Sequence, residues 1–241
     1  MRRAGCIASA AAGTLLLASA LSSSRGADRR APCAGSLVPA YLHPHEIEGL
    51  AQRSTLPQLL VINPASGPGD APRPDYRRAI GAARAGGARV LGYVPTGWAS
   101  RPRADVEADI DRYRQWYGLD GVFLDEAASS ETALPYYRAL RDHARFVVLN
   151  PGVVPARGYF DVADVVVTFE GPFASYAARE PDPVPERSAH LVYAASSEQA
   201  LGALEGREPR YAYFTSGALP HPWGTVPQYL AGELAALGGC A

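Results

Sequence analysis

Three acidic side chains stand where an acid is costly. Asp125 closes the apolar run Gly121-Val122-Phe123-Leu124, Glu126 follows it, and Glu170 closes residues 165–169 in the same way. A carboxylate ending such a run is expensive to bury unless it is paired, protonated or turned to a solvated pocket. One such acid could simply pair with an arginine or cap the next helix; three at the ends of two runs favour a shared site. Two carboxyls on nearby strand ends suit glycoside hydrolysis, in which one protonates the leaving oxygen and the other acts as base or nucleophile. Strand alternation puts Gly121, Phe123 and Asp125 on one side and Val122, Leu124 and Glu126 on the other. Both acids therefore reach one pocket only if the chain bends at the strand end.

Other residues fit around that chemistry. Trp98 and Trp223 fall in loops on the expected side and are candidates to stack on sugar rings, whereas Trp116 lies on a helical stripe and belongs to the core. Asn63, Tyr93 and Asn150 are candidates to position a sugar; Tyr41 suits barrel filling and substrate contact equally. His43 and His45 are two apart with no further clustered ligands, so neither a metal nor a cofactor is expected. There is no G-x-S-x-G, and Ser66-Gly67 and Ser216-Gly217 are read as turns.

The elements that must position these residues are legible as short apolar runs at 37–42, 59–63, 89–94, 121–125, 146–150, 165–170, 190–194 and 211–215. Helical segments lie between them at 46–52, 76–85, 103–117, 134–143, 198–205 and 226–237. The clearest is 103–117, with Val106, Ile110, Tyr113 and Trp116/Tyr117 on one stripe. Nearly continuous apolar strands alternating with helices indicate a parallel sheet buried on both faces. Eight units predict an α/β fold, a single-domain (β/α)8 TIM barrel over residues 35–241. A doubly wound sheet is the runner-up, but no G-x-G-x-x-G follows the first strand. The helices after Asn150 and Glu170 are expected to be short, and 181–187 to be an exposed loop. In a barrel, strand C-terminal ends carry the chemistry, and the acids are there.

With 241 residues, 47% hydrophobic and 20% charged, the chain holds enough apolar material for one sizeable core. A net charge of -1 offers no basic stripe for nucleic acid and no polybasic cluster for anionic lipid. All 23 basic residues are Arg, as a GC-rich coding sequence would give. Arg2 and Arg3 precede an uncharged run ending Ala18-Ser19-Ala20, a secretory signal over 1–20 followed by a linker, 21–34. The protein is thus expected to be secreted or held at the cell surface as a monomer, with no stable membrane insertion once the signal is cleaved. An uncleaved anchor is the alternative. Cleavage leaves Cys33 and Cys240, and an oxidising compartment invites a disulfide between them across the barrel seam, two free thiols being the alternative.

The chain resembles the spherulin-4 family of surface and secreted proteins, grouped with glycoside hydrolase family 135. The matching blocks are Val38-Pro39-Ala40-Tyr41, Val61-Ile62-Asn63-Pro64 with Ser66-Gly67-Pro68-Gly69, Gly92-Tyr93-Val94 with Thr96, the stretch from Tyr117 through Glu126, Leu149-Asn150-Pro151-Gly152, and Phe169-Glu170. The resemblance implies a (β/α)8 barrel with endo-α-1,4-N-acetylgalactosaminidase activity on a galactosamine-containing exopolysaccharide such as galactosaminogalactan. It carries the family's essential Asp-Glu pair onto Asp125 and Glu126 and its later essential Glu onto Glu170. Gly97-Trp98 replaces the family's usual Tyr-Gly, and Ala65 stands where Asn is common. The expected reaction is endo-acting and retaining, with the acid and the nucleophile unassigned between Asp125 and Glu170. A non-catalytic polysaccharide-binding protein on the same barrel is the second reading.

Overall fold

In a computed structural model, which describes residues 35–53, 57–179, 181–205 and 209–238, the apolar runs become parallel strands that close on themselves. The strands are β1 (Gly35–Ala40), β2 (Leu59–Ile62), β3 (Arg89–Pro95), β4 (Gly121–Asp125), β5 (Phe146–Leu149), β6 (Val165–Pro172), β7 (Ser188–Tyr193) and β8 (Tyr211–Phe214). They follow chain order around the barrel, each a parallel neighbour of the next through a crossover. Between and after them run α1 (Pro44–Ala51), α2 (Pro74–Ala85), α3 (Arg103–Tyr117), α4 (Leu134–Arg141), α5 (Tyr159–Val162), α6 (Phe173–Tyr176), α7 (Ser197–Leu204) and α8 (Leu230–Gly238). The expected signal and linker, with Cys33 and Cys240, lie outside the described residues.

Inward-facing positions fill the barrel. Val61, Leu91, Phe123, Val148, Val167 and Leu191 form one such ring, each fully buried or nearly so. Outward positions pack on the helices; Gly92 is one, and a Cβ there would meet the Tyr113 ring of α3 at 2.4 Å. The missing side chain lets β3 and α3 approach closely, a packing role for glycine.

The seam between β8 and β1 is short, with only Gly35↔Tyr211 and Ser36↔Ala212 in register. Thr215 N–H goes to Val192 of β7, so Phe214 N–H points the other way, where β1 offers no partner. Glu233 of α8, fully buried, supplies it: Oε1 accepts Phe214 N–H at 2.7 Å.

Three helix starts differ from the expectation by two residues or more. Helices expected from 46 and 76 start at Pro44 and Pro74, because proline suits the first helical turn, where no N–H partner is needed. The last helix starts at Leu230 rather than 226, since Pro227 disfavours a helical conformation at Val226. The 181–187 loop is not wholly exposed. Asp182 turns inward to within 2.8 Å of His190 Nε2, and Tyr176 Oη lies 3.0 Å from His190 Nδ1. His190 faces the helices from β7 with no exposure, and a buried imidazole needs polar neighbours.

Candidate active site

Two residues beyond the filled ring, the next inward positions are Tyr41, Asn63, Tyr93, Asp125, Asn150 and Tyr193, all at the C-terminal mouth. Glu170 joins them through an irregularity. Val167 pairs with Ala189 and Phe169 with His190, so Thr168 is an extra residue in β6. Unbroken alternation from Val167 would turn Phe169 inward and Glu170 out to the helices. The bulge reverses this: Phe169 packs edge-on against Tyr176 and His190, and Glu170 faces the mouth. Re-aiming a side chain beside a site is a recurring use of bulges.

Glu126 enters by a different device. Its φ is +50°, a left-handed conformation uncommon for a residue with a β-carbon. This is the bend that the alternation demanded. Glu126 N–H favours the ionised form of the Asp125 carboxyl, and the Glu126 charge is felt at Tyr93. Its own carboxylate makes no hydrogen bond or ion pair among the described residues.

Asn150 ties the other two acids together. Its Nδ2 donates to Asp125 Oδ1 at 2.7 Å and to Glu170 Oε2 at 2.5 Å, while its Oδ1 accepts Gly152 N–H at 3.1 Å. Both amide hydrogens are thus committed to carboxylates, and the two acceptor oxygens are held within about 5 Å of each other. Gly152 has φ +67° and accepts Glu170 N–H at 3.0 Å, and a Cβ on it would lie 3.4 Å from Glu170 Cβ. The N-P-G turn therefore locks the Asn150 amide and sets the Glu170 backbone.

Burial raises both acids, against different donors. Burial pushes the Glu170 carboxyl up to about 7, the Asp125 charge adds to this, and hydrogen bonds from Asn150 and Trp223 oppose it. Burial also raises Asp125, against three donors that favour its ionised form: Tyr93, the Glu126 N–H and Asn150. Burial and the neighbouring acids hold the Tyr41 and Tyr93 phenols protonated, so both remain donors. Their rings meet edge-on with centroids 5.4 Å apart.

A cavity of about 480 Å³ opens beside Glu170, lined by Tyr41, Tyr193, Leu219, His221 and Trp223 among others. That volume accommodates a sugar ring, and its wall is mostly apolar, as ligand pockets commonly are. Trp223 does not stand out as a platform: it is 7% exposed, packs against Tyr193 and Tyr213, and lies where it favours the ionised form of Glu170. Trp98 is the reverse, 66% exposed, with its N–H on Glu126 carbonyl at 2.6 Å and its ring outside the cavity wall. Asn63 Oδ1 accepts Gly67 N–H at 2.9 Å and so closes its own loop rather than touching the acids. Tyr193 was missed by sequence reasoning; its signal is an aromatic at the inward end of the seventh run. Of the three acids, Glu170 alone stands in the wall of this cavity, and none stands in that of a larger cavity between α6 and α7, lined by Phe173, Arg179 and Gln199 among others.

Residues 36–237 match the family described as Spherulation-specific family 4. The chain is 36% identical over 145 residues to spherulin-4 of Physarum polycephalum, a match covering 56% of this chain and 44% of that protein, so less than half of the relative's length. Among solved structures, Sph3 of Aspergillus clavatus in complex with GalNAc superposes with a TM-score of 0.76 at 23% identity, covering 86% of this chain and 98% of the other. A GH18 chitinase from Pseudoalteromonas aurantia follows at 0.53 and 10% identity, covering 75% and 93%. These structural likenesses are of fold. The family match runs from within β1 to the last turn of α8, and the chain accordingly belongs to the spherulin-4 family.

Proposed function

We propose that this protein is an extracytoplasmic glycoside hydrolase that cleaves an α-linked amino-sugar polymer from within the chain, as an endo-α-1,4-N-acetylgalactosaminidase does. The observation that carries the reading is the meeting of Asp125 and Glu170 on one Asn150 nitrogen. Glu170, with a carboxyl near 7, holds its proton in about half the molecules at neutral pH and serves as general acid. Asp125, with three donors on its carboxyl, serves as the ionised nucleophile. Burial raises both acids, and the three donors that oppose it at Asp125 favour the ionised role there. Glu126 supplies further negative charge beside Tyr93, favouring the positive charge that develops on the sugar ring. Tyr41 and Tyr193 line the cavity that receives it, and Tyr93 packs edge-on behind Tyr41.

One amide nitrogen bonded to both acids keeps the two carboxyls close together, which favours a nucleophile in contact with the anomeric carbon over an inverting water between them. Retention is therefore the proposed outcome. The GalNAc bound to Sph3 supports the choice of an amino sugar. Export, guided by the Arg2-Arg3 leader, and a Cys33 to Cys240 disulfide belong to the same proposal.

The test is to incubate purified protein with a partly acetylated galactosamine-containing exopolysaccharide and follow soluble oligosaccharides and the anomer first released. Oligosaccharides with the α-anomer first are expected. Binding of the polymer without any release would replace the enzyme with a carbohydrate-binding barrel, and the β-anomer first would replace retention with inversion.

A further inference from the structure

The left-handed bend that aims Asp125 and Glu126 needs something to hold it. Thr96, fully buried at the end of β3, places its Oγ1 2.9 Å from Asp125 carbonyl and 2.8 Å from Glu126 carbonyl. Tyr137 Oη of α4, also buried, lies 3.1 Å from the same Oγ1 and accepts Ala128 N–H at 2.7 Å. Carbonyl oxygens only accept, so the single Thr96 hydroxyl hydrogen goes to them. Tyr137 must then donate to Thr96. The protons run one way: from Ala128 N–H to Tyr137, from Tyr137 to Thr96, and from Thr96 to the carbonyls on either side of the bend.

The backbone on both sides is held as well. Thr96 N–H donates to Asp125 carbonyl at 2.9 Å, and Ala127 N–H to Asn150 carbonyl at 3.0 Å. Left-handed conformations at residues with a side chain cost of order 1–3 kcal/mol and persist only where the surroundings over-determine them. Among the described residues, the hydroxyl is the one side-chain group that hydrogen-bonds both carbonyls of the bend.

We propose that Thr96 is a positioning residue, whose hydroxyl, oriented by Tyr137, fixes the bend at Glu126 and thereby how the Glu126 side chain and N–H are set against Asp125. It touches no substrate and acts through Asp125 and Glu126. The kinetic half of this proposal rests on the glycosidase reading; the geometric half does not.

The experiment compares wild type, Thr96→Val and Thr96→Ser as full chains, each with a confirmed cooperative unfolding transition. Carboxyl carbons are followed by NMR titration and hydrolysis by kcat and KM. Thr96→Val keeps the shape and loses the hydroxyl. Asp125 should then titrate higher, because the Glu126 N–H that favours its ionised form is no longer aimed. A drop in kcat of about 100-fold with KM within about threefold is expected, the size of effect that a small misplacement produces. Thr96→Ser should restore both to within about threefold of wild type. A Thr96→Val protein with unchanged Asp125 titration, or a Thr96→Ser protein no better than Thr96→Val, overturns the proposal. Should Thr96→Val fail to fold, Tyr137→Phe takes its place with the same expected shift and the same overturning result. If wild type cleaves nothing, the glycosidase reading falls and the Asp125 titration alone decides the role of Thr96.

Discussion

Asp125 and Glu170 accept the two hydrogens of one amide nitrogen, at 2.7 and 2.5 Å, although they come from strands separated by β5. The donor stabilises the ionised form of each, so removing it raises both. Asn150→Ala should therefore move both limbs of the pH profile of kcat/KM upward, the alkaline limb from about 7. A fall in kcat of about 10- to 100-fold should accompany the shift, as the acids lose their common anchor. The check is a pH series on Asn150→Ala and wild type; unmoved limbs would mean that the amide does not tune the acids.

Glu233 makes a prediction about stability rather than catalysis. It is fully buried, Oε2 has no hydrogen-bond partner among the described residues, and burial pushes its carboxyl up to about 8, against the Phe214 N–H that lowers it. A carboxyl raised on folding binds its proton more tightly in the native state. Its contribution to stability is complete below the unfolded value near 4.5 and is lost as pH rises through 8. Glu170 adds the same sign between 4.5 and 7. Glu233→Gln, which keeps an acceptor for Phe214 N–H, should remove a large part of this slope and be more stable than wild type at pH about 9, by a few kcal/mol. Urea unfolding across pH measures it.

Much of the fold was legible because each strand is a short apolar run, several with a polar residue at the end, and most runs are separated by helical segments. The positions of Asp125, Asn150 and Tyr93 at the mouth follow from alternation alone. Glu170 does not follow so simply: its strand carries an extra residue at Thr168, and nothing in Val165-Val166-Val167-Thr168-Phe169 marks a bulge. The bend at Glu126 was legible as a requirement, yet the residue that holds it was not, since Thr96 and Tyr137 lie 41 positions apart. Trp223 looked like a platform because its loop is on the right side; its burial depends on Tyr193 and Tyr213, which sequence spacing does not bring near it.

The two tryptophans should separate kinetically. Trp98 is exposed at the rim, so Trp98→Ala should raise KM for long polymer by up to about tenfold, with little change in kcat or on short oligosaccharides. Trp223→Phe removes a donor from the ionised form of Glu170 and should shift the alkaline limb upward from about 7. Measuring both variants on a length series checks the assignment.

The central claim is tested most directly by the rate at which new reducing ends appear from the amino-sugar polymer with wild type, Asp125→Asn and Glu170→Gln, each shown to be folded and to bind polymer. Wild type should cleave, and each variant should be slower by about 1,000-fold or more, because an amide can neither attack the anomeric carbon nor protonate the leaving oxygen. Variants that release reducing ends at the wild-type rate would contradict the account.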